Sequence, residues 1–184
     1  LFVANWYDYN ALYKNNGDKT FTESSADYFN HTSRFTMGVD IADITNDGNL
    51  DVITLDMMPY KSEVFLKSGG EDTDKVNQIK KTFGFQQQYA RNHMQLNNGE
   101  FFVDAALLSG IHATDWSWSP LIMDYNNDGL MDVFMSDDTY CSLYQNQGGG
   151  VFTDMAYPSG ISIAAGQFVG WSSSFIDYDN DGDV

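Results

Sequence analysis

The sequence predicts an all-β chain: a β-propeller fragment of about three four-stranded blades, with aspartate-rich hairpin loops and one small helical insertion. Three observations carry that prediction. A nine-residue acidic loop occurs three times, an alternating aromatic strand runs into each copy, and the last two copies begin 53 residues apart.

The loops read Asp43-Ile-Thr-Asn-Asp-Gly-Asn-Leu-Asp51, Asp124-Tyr-Asn-Asn-Asp-Gly-Leu-Met-Asp132 and Asp177-Tyr-Asp-Asn-Asp-Gly-Asp-Val184. Oxygen-bearing side chains fall at positions 1, 3 and 5, glycine at 6 and, in two copies, aspartate at 9. Hard cations such as calcium take roughly six to eight oxygen ligands, which a short loop can supply only by pointing alternate side chains inward and turning sharply. Glycine makes the turn, because it enters φ > 0 without steric cost. Position 7 (Asn49, Leu130, Asp183) is expected to offer its backbone carbonyl, which leaves its side chain free to vary. Single Asx-Gly clusters are ordinary turns; threefold recurrence of the same constrained positions points to Ca2+.

Each strand before a loop alternates with period two. Phe35, Met37, Val39 and Ile41 share one face, as do Trp116, Trp118, Pro120 and Ile122, and Val169, Trp171, Ser173 and Phe175. Small residues such as Gly38, Ser117, Ser119 and Gly170 hold much of the other face, as expected where sheets crowd a central axis. Exit strands follow at 52–56 and 133–137, and 1–5 has the same pattern, so the chain is expected to begin just after one such loop and to stop inside another. Outer hairpins are signalled by Asn-X-Gly before a short aromatic strand: Asn15 to Gly17 before Phe21, Asn97 to Gly99 before Phe102, and Asn146 to Gly148 before Phe152.

The expected organisation is the end of a preceding blade at 1–10, repeat 1 at 11–58, an insertion at 59–88, repeat 2 at 89–140 and repeat 3 at 141–184. The insertion makes the first loop-to-loop interval 81 residues. Pro59 ends the strand before it; Ser62 to Ser68 reads as a short helix, and Thr73 or Asp74 caps a second, with Val76, Ile79 and Phe83 in helical register and Gly84 as its stop. Lys61, Lys67, Lys75, Lys80, Lys81 and Arg91 gather in or beside it, two thirds of the chain's nine basic residues, making it a solvated loop or a docking element.

The formal net charge of −17 makes nucleic acid a poor partner, since binding it relies on phosphate neutralisation. More than half of that charge is lodged in the loops, where like charges repel strongly without a cation. Cys141 is the sole cysteine, so no intrachain disulfide can form, and no apolar run reaches the ~20 residues of a membrane span. An EF-hand is excluded by spacing, because its acid at position 12 would fall on Thr54 or Met135. His31, His93 and His112 belong to no catalytic motif, no nucleophile elbow is present, and no enzyme activity is expected. Trp118 and Trp171 share one repeat position, which favours packing; Tyr7, Tyr9, Tyr60 and Tyr140 are the better ligand candidates.

The unit Leu143-Tyr-Gln-Asn-Gln-Gly, Phe152-Thr-Asp, Trp171-Ser, Asp177-Tyr-Asp-Asn-Asp-Gly resembles the FG-GAP/VCBS repeat, in the style of the ASPIC/UnbV and cartilage-acidic-protein group. The resemblance spans the chain apart from the insertion. It implies a propeller like that of integrin α-subunit heads, calcium on the hairpins, and a secreted or cell-surface module, bacterial outer-membrane surface included, that binds protein or glycan within a longer chain or assembly. By position it assigns as ligands Asp43, Thr45, Asp47 and Asp51; Asp124, Asn126, Asp128 and Asp132; and Asp177, Asp179 and Asp181. Thr45 departs from the usual Asp or Asn and should make the first site weakest. Related propellers also serve as calcium-dependent polysaccharide lyases or as spacers in exported proteins, and both remain open alternatives.

Overall fold

A computed structural model describes residues 1–6, 8–68, 72–166 and 168–182. The fold is a β-rich, propeller-like fragment. β1 (Phe2–Val3), β2 (Ala11–Asn15) and β3 (Phe21–Glu23) form a three-stranded antiparallel sheet, followed by a single helical turn, α1 (Ser25–Tyr28). After β4 (His31–Ser33) come β5 (Gly38–Ala42) and β6 (Asp51–Leu55), which pair antiparallel around the first acidic loop, with Ala42 opposite Asp51. β9 (His93–Asn97) and β10 (Phe102–Asp104) complete that sheet in the order β10-β9-β6-β5.

The third sheet repeats the plan. Past α4 (Ala106–Ser109), β11 (Asp115–Met123) and β12 (Asp132–Asp137) flank the second loop, and β13 (Ser142–Asn146) and β14 (Phe152–Asp154) continue outward. β7 (Met57–Met58) leaves the end of β6 and pairs with Asp115 and Trp116 of β11, adding a fifth strand and stitching the two sheets. The Asn-X-Gly hairpins sit where the sequence puts them, at β2–β3, β9–β10 and β13–β14. The sequence repeat, however, straddles the sheets: β2 and β3 lie in one sheet, and β5 and β6 of the same repeat lie in the next.

The middle sheet is covered on both faces, so β6 is buried at every position. Val52 packs with Phe29 and Phe102, whose rings stack at 4.5 Å. Its neighbours Ile53 and Leu55 point the other way, into a cluster with Ile44, Met94, Ile122, Val133 and Met135. Each such aliphatic side chain contributes about 1.5–3 kcal/mol by burial. The inner strands β5 and β11 approach closely: a Cβ on Gly38 would collide with the Trp118 carbonyl oxygen and meet Pro120 Cδ at 2.7 Å. Asp40 Oδ2 accepts the Ile122 amide at 2.8 Å across the same junction.

The third inner strand, expected through Val169 to Phe175, is not formed. That segment lies along the β11–β12 sheet, with the Gly170 amide on Asp137 O at 2.9 Å and Trp171 against Trp118 at 4.4 Å between ring centroids. A five-residue helix, α5 (Ile161–Ala165), precedes it.

In the insertion, α2 (Ser62–Ser68) and α3 (Asp74–Thr82) occupy the stretches marked by their signals. Thr73 is the cap, its Oγ1 accepting the Val76 amide at 3.4 Å, and Gly84 turns with φ 83°. The apolar register of α3 does not face a core: Val76, Ile79 and Phe83 are 39%, 49% and 77% exposed. Polar contacts hold the insertion instead. The Asp72 carboxylate meets Arg34 Nη2 and Lys80 Nζ, both at 2.7 Å, and β8 (Gln87–Tyr89) pairs parallel with β4. Gly69, Gly70 and Glu71, like Tyr7 and Asp183, lie outside the described residues.

Candidate metal centre

Over their first six residues the three loops adopt one conformation. Their fourth residues, Asn46, Asn127 and Asn180, have φ of 56°, 57° and 59°, and the glycines at position 6 have φ of 88°, 85° and 95°. Asparagine enters the left-handed region more readily than other side-chain-bearing residues, which explains its presence at position 4 in all three copies. Metal-ligand chemistry does not single out position 4; the recurrence of asparagine there is the sequence signal for this backbone turn.

The first aspartate organises each turn. Asp43 accepts the amides of Asp47 and Gly48 at 3.0 and 2.8 Å; Asp124 accepts those of Asp128 and Gly129 at 3.0 and 2.7 Å; Asp177 accepts those of Asp181 and Gly182 at 3.2 and 3.0 Å. Position 5 closes the second half, with Asp47 on the Asn49 amide and Asp128 on the Leu130 amide, both at 2.8 Å. That amide bond holds the exposed Asp128 carboxyl below its ordinary range.

Position 9 behaves differently from 1, 3 and 5. Asp51 and Asp132 are buried, and both oxygens of each are directed to backbone amides. Asp51 accepts Ile44 N and Asn97 N at 2.9 and 2.8 Å; Asp132 accepts Tyr125 N and Asn146 N at 3.2 and 2.7 Å. Each therefore fastens its loop to the third strand of its sheet. Burial pushes both carboxyls upward against those amide bonds.

The donor set suits a hard cation in the third loop, where carboxylate oxygens of Asp177, Asp179 and Asp181 lie within 4.8 Å of one another. The acids of the first two loops do not gather that tightly among the described residues. Their third positions are Thr45 and Asn126, and Asn126 Nδ2 donates to Asp128 Oδ2 at 3.0 Å. The loops also touch: Asn46 Nδ2 donates to Gly129 O at 2.7 Å, joining the first to the second.

Of the other sequence candidates, His93 is wholly buried on β9 and His112 sits in a loop whose carbonyl accepts the Asn92 amide. His31 and His93 do meet, beside Asp104. No motif announces that meeting, because His31 and Asp104 are 73 positions apart. Among the described residues no helix is long and apolar enough to cross a membrane.

Successive antiparallel sheets, two of them opened by an acidic glycine-turned hairpin, are the mark of a repeat protein of the propeller type. The family described as FG-GAP-like repeat matches residues 1–54 and 124–184. The chain belongs to the FG-GAP-like repeat family. No curated protein matches it.

Proposed function

We propose that the chain is part of a calcium-binding β-propeller of a secreted or cell-surface protein, contributing about three four-stranded blades. In this reading the metal is structural and the module binds a protein or glycan rather than catalysing a reaction. The observation that supports it best is the single loop conformation repeated at 43–51, 124–132 and 177–182, with its oxygen donors on the same positions. A turn alone needs an Asx residue and a glycine; a crowd of carboxylates in addition is unfavourable until a cation neutralises it. A partner-binding role is supported by a cavity of about 630 Å³ at the strand ends away from the loops, lined among others by Phe35, Met57, Tyr60, Val64, Trp116 and Asp138.

Calcium stabilises such a fold by mass action, by about 2.7 kcal/mol per site when free ion is a hundredfold above Kd. Chelation at fixed ionic strength should therefore lower Tm substantially, and an unchanged melt in EDTA would refute the calcium reading. Asp128→Ala should weaken calcium binding, measured by titration calorimetry, more than Thr45→Ala does. Release of unsaturated products from acidic polysaccharides would instead favour a lyase.

A further inference from the structure

Away from the acidic loops, β4, β9 and β10 bring together His31, His93 and Asp104. His31 Nε2 lies 2.9 Å from Asp104 Oδ2, and His93 Nε2 lies 3.7 Å from the same oxygen. One ligand-type atom from each of the three falls within 4.8 Å of the others. His93 has no exposed surface, and neither of its ring nitrogens has a hydrogen-bond partner. An unpartnered polar side chain at such depth costs free energy and calls for an occupant.

The fold itself does not require this arrangement. Asp104 Oδ1 accepts the Ala106 amide at 3.0 Å, and Asp154 makes the equivalent bond to Ala156 at 2.9 Å in the next sheet. There the position matching His93 is Ser142, so the turn forms without imidazole. The Asp104 carboxylate thus divides its roles: Oδ1 holds the backbone, and Oδ2 faces the two rings. Two imidazole nitrogens and one carboxylate oxygen form a donor set of the zinc type, distinct from the all-oxygen loops.

We propose that His31, His93 and Asp104 form a binding site for a divalent transition metal of the zinc class, with Arg91 as a built-in competitor. Arg91 Nη1 lies 2.7 Å from Asp104 Oδ2, and its Nη2 lies 3.5 Å from His31 Nε2. The guanidinium supplies the positive charge that the carboxylate needs in the metal-free protein. Metal entry breaks the Arg91–Asp104 pair and leaves His31 Nε2 as a lone-pair donor, its proton moving to Nδ1 or to solvent. The metal then clamps β4 to the β9–β10 hairpin, fastening the strand on which the insertion closes.

The test uses the whole chain in excess Ca2+, with Co2+ as a visible-absorbing probe and Zn2+ as its competitor. One Co2+ per chain should give an intense ligand-field band that Zn2+ abolishes. His31→Ala and His93→Ala should each weaken binding at least about tenfold, whereas Arg91→Ala should tighten it by about as much. Asp177→Ala should leave the band unchanged, which separates this site from the acidic loops and from the calcium reading. If His93→Ala does not fold, the more exposed His31→Ala and Arg91→Ala carry the test. Absence of the band, a band indifferent to His31→Ala, or affinity unaltered by Arg91→Ala would each overturn the proposal.

Discussion

Asp132 and Asp128 sit in one loop and do opposite work. Asp132 is buried and satisfies two amides on different strands, whereas the more exposed Asp128 serves its own turn. In EDTA, Asp132→Ala should cost roughly 2–4 kcal/mol by urea unfolding, because each orphaned buried amide costs about 1–3 kcal/mol. Asp128→Ala should cost under about 1 kcal/mol under the same conditions. Equal losses would mean that position 9 is not the fastener. Asp137 offers a separate handle. Burial, with Asp138 beside it, pushes its carboxyl from 3.8 up to about 6. Its folded-state value lies above the unfolded one, so its contribution is full below about 3.8 and fades as pH rises through about 6. Asp137→Asn should therefore raise Tm relative to the parent protein at about pH 7.5 by more than it does at about pH 4. An offset that is the same at both would exclude its ionisation as the cause.

At the scale of elements, the closest approach is between the inner strands. Gly38→Ala should cost about 1–3 kcal/mol through overpacking against Trp118 and Pro120, read as a fall in the urea midpoint at constant m-value. A neutral result would show that β5 and β11 can separate freely. The hairpins were legible in the sequence because each carries its own Asn-X-Gly turn and a short aromatic strand. The helices of the insertion were legible from a cap and a glycine stop, but the fate of the α3 apolar register was not, since periodicity says which residues share a face and not what covers it. The parallel β4–β8 pair was invisible for a related reason: His31-Thr-Ser and Gln87-Gln-Tyr are short, polar and far apart, with no turn to join them. At the loops, donor positions 1, 3 and 5 could be read from residue type. The backbone duty of Asp51 and Asp132 could not, because it depends on Asn97 and Asn146 arriving from another hairpin.

Across the whole molecule, electrostatics set the conditions under which the fold is secure. A chain of net charge −17 with its acids concentrated in three turns should respond to salt in two ways. In EDTA, raising NaCl from about 0.01 to 0.5 M should increase Tm by screening the loops, since the Debye length falls from roughly 30 Å to a few ångströms. In calcium the same titration should be nearly flat, and parallel slopes in the two buffers would argue that the loops are not where the repulsion resides. The offset between sequence repeat and sheet carries a further consequence, for descent rather than stability. Because one repeat supplies the outer strands of one sheet and the inner strands of the next, neighbouring copies are spliced through shared hydrogen-bonded ladders. Duplicating or deleting one genetic unit would then change the number of sheets while leaving no strand without a neighbour. A lineage could alter the girth of such a protein in whole steps, each intermediate meeting the same edges as its parent.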